Sequence, residues 1–233
     1  MPAVPHPLDN PAMAALLGPH AHFAERIGRV LRYPPDVSPF AAMPPEPAPA
    51  DWVAATELVG PGGSVTVSGP RREPPPGWEV LFEGEGVQLV DDGVTPAPAP
   101  DAVVLGAADV PEMLALVERT DPGPFRPRTV ELGTYLGIRR DGELVAMAGE
   151  RLHPPGWTEI SAVCTAPEHR GHGLATTLVR ALVHGIRARG ETPFLHAAGT
   201  NVTAIRLYES LGFRLRRRTT FAAFRAPALA EAS

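Results

Sequence analysis

The sequence predicts an α/β fold with one mixed sheet, preceded by a smaller α/β region. Two observations in the second half of the chain predict it. Strand-like apolar stretches alternate there with two stretches of helical period. Two of the strands, Thr134–Arg139 and Glu143–Leu152, flank Asp141-Gly142, a dipeptide that favours a tight hairpin turn. The resulting order, strands, then helix, strand, helix and strand, is typical of a mixed sheet.

Residues 1–100 form the predicted smaller region, in which proline separates short elements. Of the 29 prolines, 24 precede residue 130. Asp51 is predicted to be the N-cap of one of its helices. The predicted elements are helices at Pro11–Leu17, His22–Leu31 and Trp52–Val59 and strands at Ser64–Ser68 and Trp78–Val90. A proline-rich linker ends the region at Pro100.

Residues 101–233 hold the larger predicted domain. Its clearest helix begins at Leu174, because Leu178, Leu182 and Ile186 follow at intervals of four, and Gly190 ends it. The other predicted elements are the strand Val103–Leu105, a helix from Asp109 to Arg119, the hairpin, a central strand around Ile160–Cys164, the strand Pro193–Ala197, the helix Val202–Leu211 and the strand Phe213–Phe224.

Composition limits the class of protein. The chain has 233 residues, 44% of them hydrophobic, which is enough for a packed core. No apolar run has the length of a membrane span, and the N-terminus lacks the pattern of a signal peptide. Cys164 is the only cysteine, so an internal disulfide is impossible and a reducing, cytoplasmic setting is expected.

The charges are divided unevenly along the chain. Residues 1–102 carry a balance of −8 and residues 103–233 a balance of +3, with arginine as the only basic side chain besides histidine. The basic excess suits a polyanionic cofactor, although lysine-free usage is equally typical of genome composition. Neither half is basic enough to indicate binding to nucleic acid.

A glycine-containing turn precedes the clearest helix. It comprises Arg170, Gly171, His172, Gly173, Leu174 and Ala175. Glycine lacks a Cβ, so the backbone can approach a ligand closely. The free N–H groups and the positive dipole end of the helix favour an anion such as a pyrophosphate. The turn lacks the third glycine of a dinucleotide fingerprint and the lysine of an NTPase loop.

Two motifs resemble the GNAT superfamily of N-acyltransferases. Arg170, Gly173 and Ala175 fit its R/Q-x-x-G-x-G/A signature, and residues 201–213 fit N-x-x-A-x-x-L-Y-x-x-x-G-F. The resemblance covers roughly Ala102 to Arg225. It implies a mostly antiparallel sheet with splayed central strands, acetyl-CoA (acyl-CoA) as co-substrate and no metal. Residues 51–92 resemble, more distantly, the degenerate N-terminal half of relatives of glycine N-acyltransferase.

The resemblance also implies roles for individual residues. The amides from Arg170 to Ala175 would hold the pyrophosphate, and the backbone of Val163, Cys164 and Thr165 the pantetheine arm. Tyr208 matches the general acid that protonates the leaving thiolate, and a core tyrosine is the alternative. Asn201 matches a cofactor-contacting asparagine, and a helix N-cap is a compatible alternative.

The general base is left open. Glu159, at the start of the central strand, lies where some relatives carry a base, but a solvated glutamate is the alternative. Glu150 is a rival, and a water chain would replace both. Cys164 lies in an apolar strand without a nearby histidine, which favours a buried hydrophobe over a nucleophile. His172 is predicted either to touch phosphate or to be solvated.

The sequence indicates an acyltransferase acting on a small amine or amino-acid-like acceptor, as a monomer or homodimer. The alternative is a coenzyme A-binding sensor without turnover. In the family the acceptor lies between the early loop and the hairpin strands, which here indicates Phe125, Arg126, Arg128, Tyr135 and Trp157. An arginine there could hold a carboxylate.

Overall fold

The computed structural model describes residues 6–228. Its α-helices are α1 (Pro11–Leu16), α2 (Pro49–Val59), α3 (Val110–Thr120), α4 (Leu174–Ala188) and α5 (Val202–Leu211). Its strands are β1 (Glu25–Ile27), β2 (Val30–Arg32), β3 (Ala41–Ala42), β4 (Ser64–Gly69), β5 (Glu79–Asp91), β6 (Ala102–Leu105), β7 (Tyr135–Arg140), β8 (Glu143–Glu150), β9 (Trp157–Thr165), β10 (Thr192–Ala198) and β11 (Phe213–Arg225). Within this range, no helix is both long and apolar enough to cross a membrane.

The strands form one large sheet and one small one. The large sheet has eight strands in the order β4-β11-β5-β10-β9-β8-β7-β6, and β1, β2 and β3 form a separate three-stranded sheet. In the large sheet, β9 and β10 are parallel and the other neighbouring strands are antiparallel. The mixed, mostly antiparallel α/β fold predicted from the sequence is therefore confirmed.

The two parallel strands separate towards their carboxyl ends. Their pairing ends at Ile160 opposite Leu195, and beyond that point β9 pairs only with β8 and β10 only with β5. A bulge lies on β9 where they diverge, because Ala162 has a φ of +51° and the register with β8 shifts between Met147 and Gly149. The predicted splay of the central strands is thus present and leaves a gap in the sheet.

Strand β5 comes from the first hundred residues but lies in the middle of the large sheet. It pairs with β10 from Val90 to Gly86 and with β11 along nearly its whole length. The sheet therefore crosses the boundary predicted between residues 1–100 and 101–233.

Helices α4 and α5 cover one face of the sheet, and α3 and the N-terminal elements cover much of the other. The leucines of α4 pack with β8, β9 and β10 in a core that includes Leu178, Leu182 and Ile186, each at most 2% exposed. On the opposite face, α1 and the small sheet pack against Val90 and Phe194. The central strands are consequently buried on both sides.

Two N-terminal predictions are wrong. The helix predicted at His22–Leu31 is instead a short 3-10 turn followed by the β1–β2 hairpin. Gly28, with a φ of +58°, makes the hairpin turn and interrupts any helix. Asp51 is not the N-cap of α2, since the helix begins at Pro49 and the Asp51 carboxylate accepts a 2.7 Å hydrogen bond from the Ala48 amide. The remaining predicted boundaries lie within three residues of those observed.

His20 connects the N-terminal elements to the sheet in a buried site. Its Nδ1 lies 2.8 Å from the Tyr33 hydroxyl, and its ring packs beside that of His153 at 5.0 Å. Burial, with smaller contributions from His153 and His22, lowers the pKa of His20 to about 3. Since an unfolded histidine titrates near 6.5, the folded state excludes a proton that the unfolded state binds below that pH.

We expect the protein to lose stability as the pH falls from 7 to 5. Between the unfolded pKa and pH 5, His20 alone should remove about 2 kcal/mol of the free energy of unfolding, and the lowered pKa of partly buried His153 acts in the same direction. Denaturant titrations at both pH values measure the loss. His20→Asn should flatten the dependence, whereas His184→Asn, at an exposed position on α4, should keep it. Equal slopes in the wild type and His20→Asn would contradict this.

Candidate active site

The turn between β9 and α4 has the geometry of an anion site. Gly171 and Gly173 have φ values of +80° and +74°, and Gly173 is the N-cap of α4 without a side-chain cap. A Cβ added at either glycine would meet no protein atom within 4 Å. The first amides of α4 therefore face open space, where they can donate to an anion at the positive end of the helix dipole.

A cleft of about 600 Å³ starts at this turn and runs along the end of β9 that has separated from β10, where α5 also lines it. Its lining contains every catalytic and cofactor-binding residue predicted from the sequence except His172 and the candidate bases Glu159 and Glu150. Those shared residues are Val163, Cys164, Thr165, Arg170, Gly171, Gly173, Leu174, Ala175, Asn201 and Tyr208. The structure thus brings together residues from β9, the turn, α4 and α5.

The end of β9 offers unused polar groups to this cleft. The Thr165 hydroxyl is buried and has no hydrogen-bond partner within residues 6–228. Arg170 is fixed nearby, because its Nε donates to the Thr165 carbonyl at 3.2 Å. A buried hydroxyl without a partner is unfavourable unless a ligand satisfies it, so the cleft fits a polar chain such as a pantetheine arm. His172 is exposed, and its Nδ1 lies 3.2 Å from the His169 carbonyl.

Tyr208 points from α5 into the cleft beside Cys164. Its side chain is mostly buried, and the residue is 7% exposed. Burial, together with the nearby Cys164 thiol, raises the pKa of Tyr208 to about 12. The phenol therefore keeps its proton at neutral pH and is available as a donor. Asn201 lines the cleft and also caps α5, since its Oδ1 accepts from the Ala204 amide at 3.0 Å.

Cys164 has the properties of a buried thiol. It is 6% exposed, and burial raises its pKa to about 11. A thiol with that pKa is almost entirely protonated at neutral pH and is a poor nucleophile. Its surroundings therefore favour the interpretation as a small buried hydrophobe.

Glu159 is fully buried and lies outside the cleft lining. Its carboxylate accepts two hydrogen bonds from Arg151, at 2.9 and 2.7 Å, and one of 2.7 Å from His196 Nδ1. Burial disfavours the charged form, but Arg151 and His196 outweigh it and lower the pKa of Glu159 to about 2. A carboxylate held in this way is a weak proton acceptor, so its surroundings do not favour a base. The rival Glu150 is buried too and pairs with Arg189 at 2.8 Å.

A chain of hydrogen bonds connects Glu159 through His196 and Gln88 to Leu8, near the N-terminus. Arg216 donates to the Gln88 Oε1 at 2.9 Å, so the Gln88 amide nitrogen faces His196 at 3.1 Å and the Leu8 carbonyl at 2.9 Å. His196 Nε2 is thereby an acceptor, and the ring carries its proton on Nδ1, towards Glu159. No local sequence pattern indicated this chain of hydrogen bonds, because its members are up to 208 residues apart.

The end of α3 is a further part of the cleft that the sequence did not indicate. Thr120, Asp121 and Pro122 line it opposite the turn. An ion pair between Arg119 and Glu168 fixes the end of α3 against the turn. Of the suggested acceptor residues, Phe125 and Tyr135 are buried together in the core, edge to face at 5.5 Å. Within residues 6–228, no cluster of three or more histidine, cysteine or acidic side chains could hold a metal ion.

Comparison with known proteins places this geometry among acetyltransferases. The model of the family described as FR47-like protein matches residues 135–222. A crystal structure from Novosphingobium aromaticivorans, described as an acetyltransferase of the GNAT family, is 42% identical, covers 94% of this chain and 98% of its own, and superposes with a TM-score of 0.86. A GCN5-related N-acetyltransferase from Kribbella flavida shares the fold, with 21% identity and a TM-score of 0.58 over 93% of this chain and 94% of its own.

Two curated relatives match part of the chain. The N-alpha-acetyltransferase RimI of Mycobacterium tuberculosis is 36% identical over 108 residues, or 42% of this chain and 67% of that protein. The mycothiol acetyltransferase of Thermomonospora curvata is 37% identical over 82 residues, or 35% of this chain. The chain spans only 27% of that mycothiol acetyltransferase.

Proposed function

Because the chain belongs to the GNAT family of acetyltransferases, we propose that it transfers an acetyl group from acetyl-CoA to a primary amine by direct attack. Acetyltransferases of this family use acetyl-CoA as co-substrate. The observation that carries the proposal is the open glycine turn at the head of α4, from which the cleft leads to the end of β9, where β9 has separated from β10 and left a gap. A diphosphate at the turn would direct a thioester into that gap.

Different residues of the cleft would have different roles in the reaction. Amides from Arg170 to Ala175 would bind the diphosphate. Backbone groups of the bulged segment from Val163 to Thr165 would hold the pantetheine arm and polarise the thioester carbonyl. The amine nitrogen would form a bond to the carbonyl carbon, the carbon–sulfur bond would break, and Tyr208 would give its proton to the thiolate.

We propose that the amine loses its proton to water rather than to a side chain. Glu159 is held by Arg151 and His196, and its pKa of about 2 makes it a poor acceptor. Glu150 is engaged by Arg189. A water chain through the cleft would serve an amine that is partly neutral at the working pH.

The acceptor is proposed to be a small amine or an amino-acid-like molecule. The names of the relatives indicate two kinds of acceptor for those proteins, a small molecule, mycothiol, and an N-terminal α-amine. We propose a cytoplasmic setting and a monomer or homodimer. We also propose that residues 51–92 descend from a half like that of glycine N-acyltransferase relatives.

The proposal is tested by binding and by transfer. The wild type should be stabilised by acetyl-CoA in a thermal-shift assay, by about 2.7 kcal/mol at a hundred times Kd. Propionyl- and longer acyl-CoA should rank by the size of the acyl pocket. A panel of primary amines assayed for release of free thiol should identify acceptors. Absence of stabilisation by every acyl-CoA would overturn the proposal.

We expect Gly173→Ala to weaken the binding of acetyl-CoA by about tenfold to a hundredfold, because the new methyl group would occupy the space of the anion and disturb an amide that donates to it. Gly190→Ala is the matched control, since Gly190 has a φ of +77° at the other end of α4 and nothing within 4 Å of its Cβ position. Both changes should cost about 1–2 kcal/mol of stability. Equal acetyl-CoA affinity in the two variants, by calorimetry, would contradict an anion at the turn.

A further inference from the structure

A second, smaller pocket lies near the small sheet. It has a volume of about 130 Å³ and is formed by the loop after β2, the start of β4 and the loop after α3. Most of its polar lining comes from arginines and hydroxyl-bearing side chains, namely Arg32, Tyr33, Ser38, Ser64, Thr66 and Arg126. Its lining contains no acidic side chain.

The two arginines give this pocket a positive charge. Arg126 is exposed, and within residues 6–228 no carboxylate lies within 4 Å of its guanidinium. Arg32 pairs with Glu25 through Nε at 2.7 Å, which leaves its two terminal nitrogens for another acceptor. Guanidinium groups beside hydroxyls are the usual partners of a carboxylate. The lining therefore fits a small carboxylate.

Hydrogen bonds fix the backbone of Arg126 beside the pocket. The Arg126 amide donates to the Thr129 hydroxyl at 2.7 Å, and that hydroxyl donates to the Val37 carbonyl at 2.7 Å. Thr129 is 2% exposed, so this connection is shielded from water. The loop after α3 is thereby fixed to the N-terminal loop, and the Arg126 side chain extends from a fixed backbone position.

The same loop joins the small pocket to the cofactor cleft. Its first residues, Thr120, Asp121 and Pro122, line the cleft, and Arg126 lines the pocket. Four residues span at most about 14 Å when extended. The Cα atoms of Pro122 and Arg126 are therefore at most that far apart, so the loop connects the linings of the two sites over the length of a small, extended molecule.

Resting on the proposed function, we propose that the acceptor is an amine that also carries a carboxylate, with its amine in the cleft and its carboxylate on Arg126 and Arg32. An acceptor of this class has several bonds between the two groups, as in an ω-amino acid or a short peptide. This pocket would select it against amines of equal length without the negative charge.

The test uses matched acceptors and matched variants of the full chain. Glycine, 4-aminobutyrate, 6-aminohexanoate and triglycine are each compared with their carboxamides in acetyl transfer. At the favoured length, the acid should exceed its amide at least tenfold in kcat/KM. Arg126→Gln should raise KM for that acid at least tenfold with little change in kcat and leave the amide unaffected. Arg128→Gln, which removes a neighbouring arginine paired with Asp36 and Glu131 outside the pocket, should keep the preference.

The experiment gives different results if the carboxylate site is assigned wrongly and if the acetyltransferase activity is assigned wrongly. Equal rates for acids and amides at every length, or an equal loss for both in Arg126→Gln, would overturn the pocket while acetyl transfer persists. If no amine is acetylated, thermal shifts with the same acids show whether the pocket binds a carboxylate. Stabilisation that Arg126→Gln removes supports the pocket, and its absence overturns it, while the shift with acetyl-CoA reports separately on the cleft.

Discussion

Replacing Tyr208 by phenylalanine is expected to lower kcat by about 10²–10⁴-fold, the usual contribution of a positioned general acid. The phenol lies in the cleft beside β9, and its pKa of about 12 keeps it protonated. Without it the thiolate would leave unprotonated or take its proton from water. The affinity for acetyl-CoA should change little, because the proposed diphosphate site is at the turn and not at Tyr208.

Tyr135→Phe is the matched control for this experiment. The Tyr135 hydroxyl is fully buried in the core and has no hydrogen-bond partner within residues 6–228. Its removal should therefore leave kcat unchanged and keep or raise stability. Single-turnover rates and acetyl-CoA calorimetry separate chemistry from binding. A Tyr208→Phe enzyme with wild-type kcat would show that water supplies the proton, and one that loses acetyl-CoA would show a structural role.

The residues of the cleft could be predicted because they lie in two short stretches of the sequence and because their conformation or role requires particular residue types. Positive φ angles require Gly171 and Gly173, and Tyr208 lies about two helix turns after Asn201, the N-cap of α5. The surroundings of Glu159 could not be predicted. Arg151 and His196 are 8 and 37 residues from it, and only the folded sheet brings them together.

The errors in the N-terminal region have a similar cause. Between His22 and Leu31 the apolar spacing fits a helix, but pairing of β1 with β2 buries Val30 and Leu31 in the core. Tertiary burial of this kind overrides local propensity. The place of β5 in the sheet depends on tertiary structure too. No pattern within residues 79–91 shows that this strand is inserted between two strands from the far end of the chain.

The insertion of β5 makes the C-terminal part incomplete by itself. Val87, Leu89 and Val90 are each at most 6% exposed. Val87 and Leu89 pack in the core on the α4 face of the sheet, and Val90 packs in the core on the opposite face. Burying each contributes about 1.5–3 kcal/mol, which together approaches the whole stability of a typical domain, about 5–15 kcal/mol. Removing β5 would also leave β10 and β11 with unpaired edges in the middle of the sheet.

A chain that begins at residue 101 is therefore expected to lack a cooperative unfolding transition and any stabilisation by acetyl-CoA. Co-expressed fragments 1–100 and 101–233 are the matched control. The cut lies after the proline-rich linker and leaves every strand whole, so the two fragments should reassemble and recover the acetyl-CoA shift. If residues 101–233 alone unfolded cooperatively and bound acetyl-CoA, β5 would be an accessory strand, and the predicted boundary at residue 100 would be a true domain boundary.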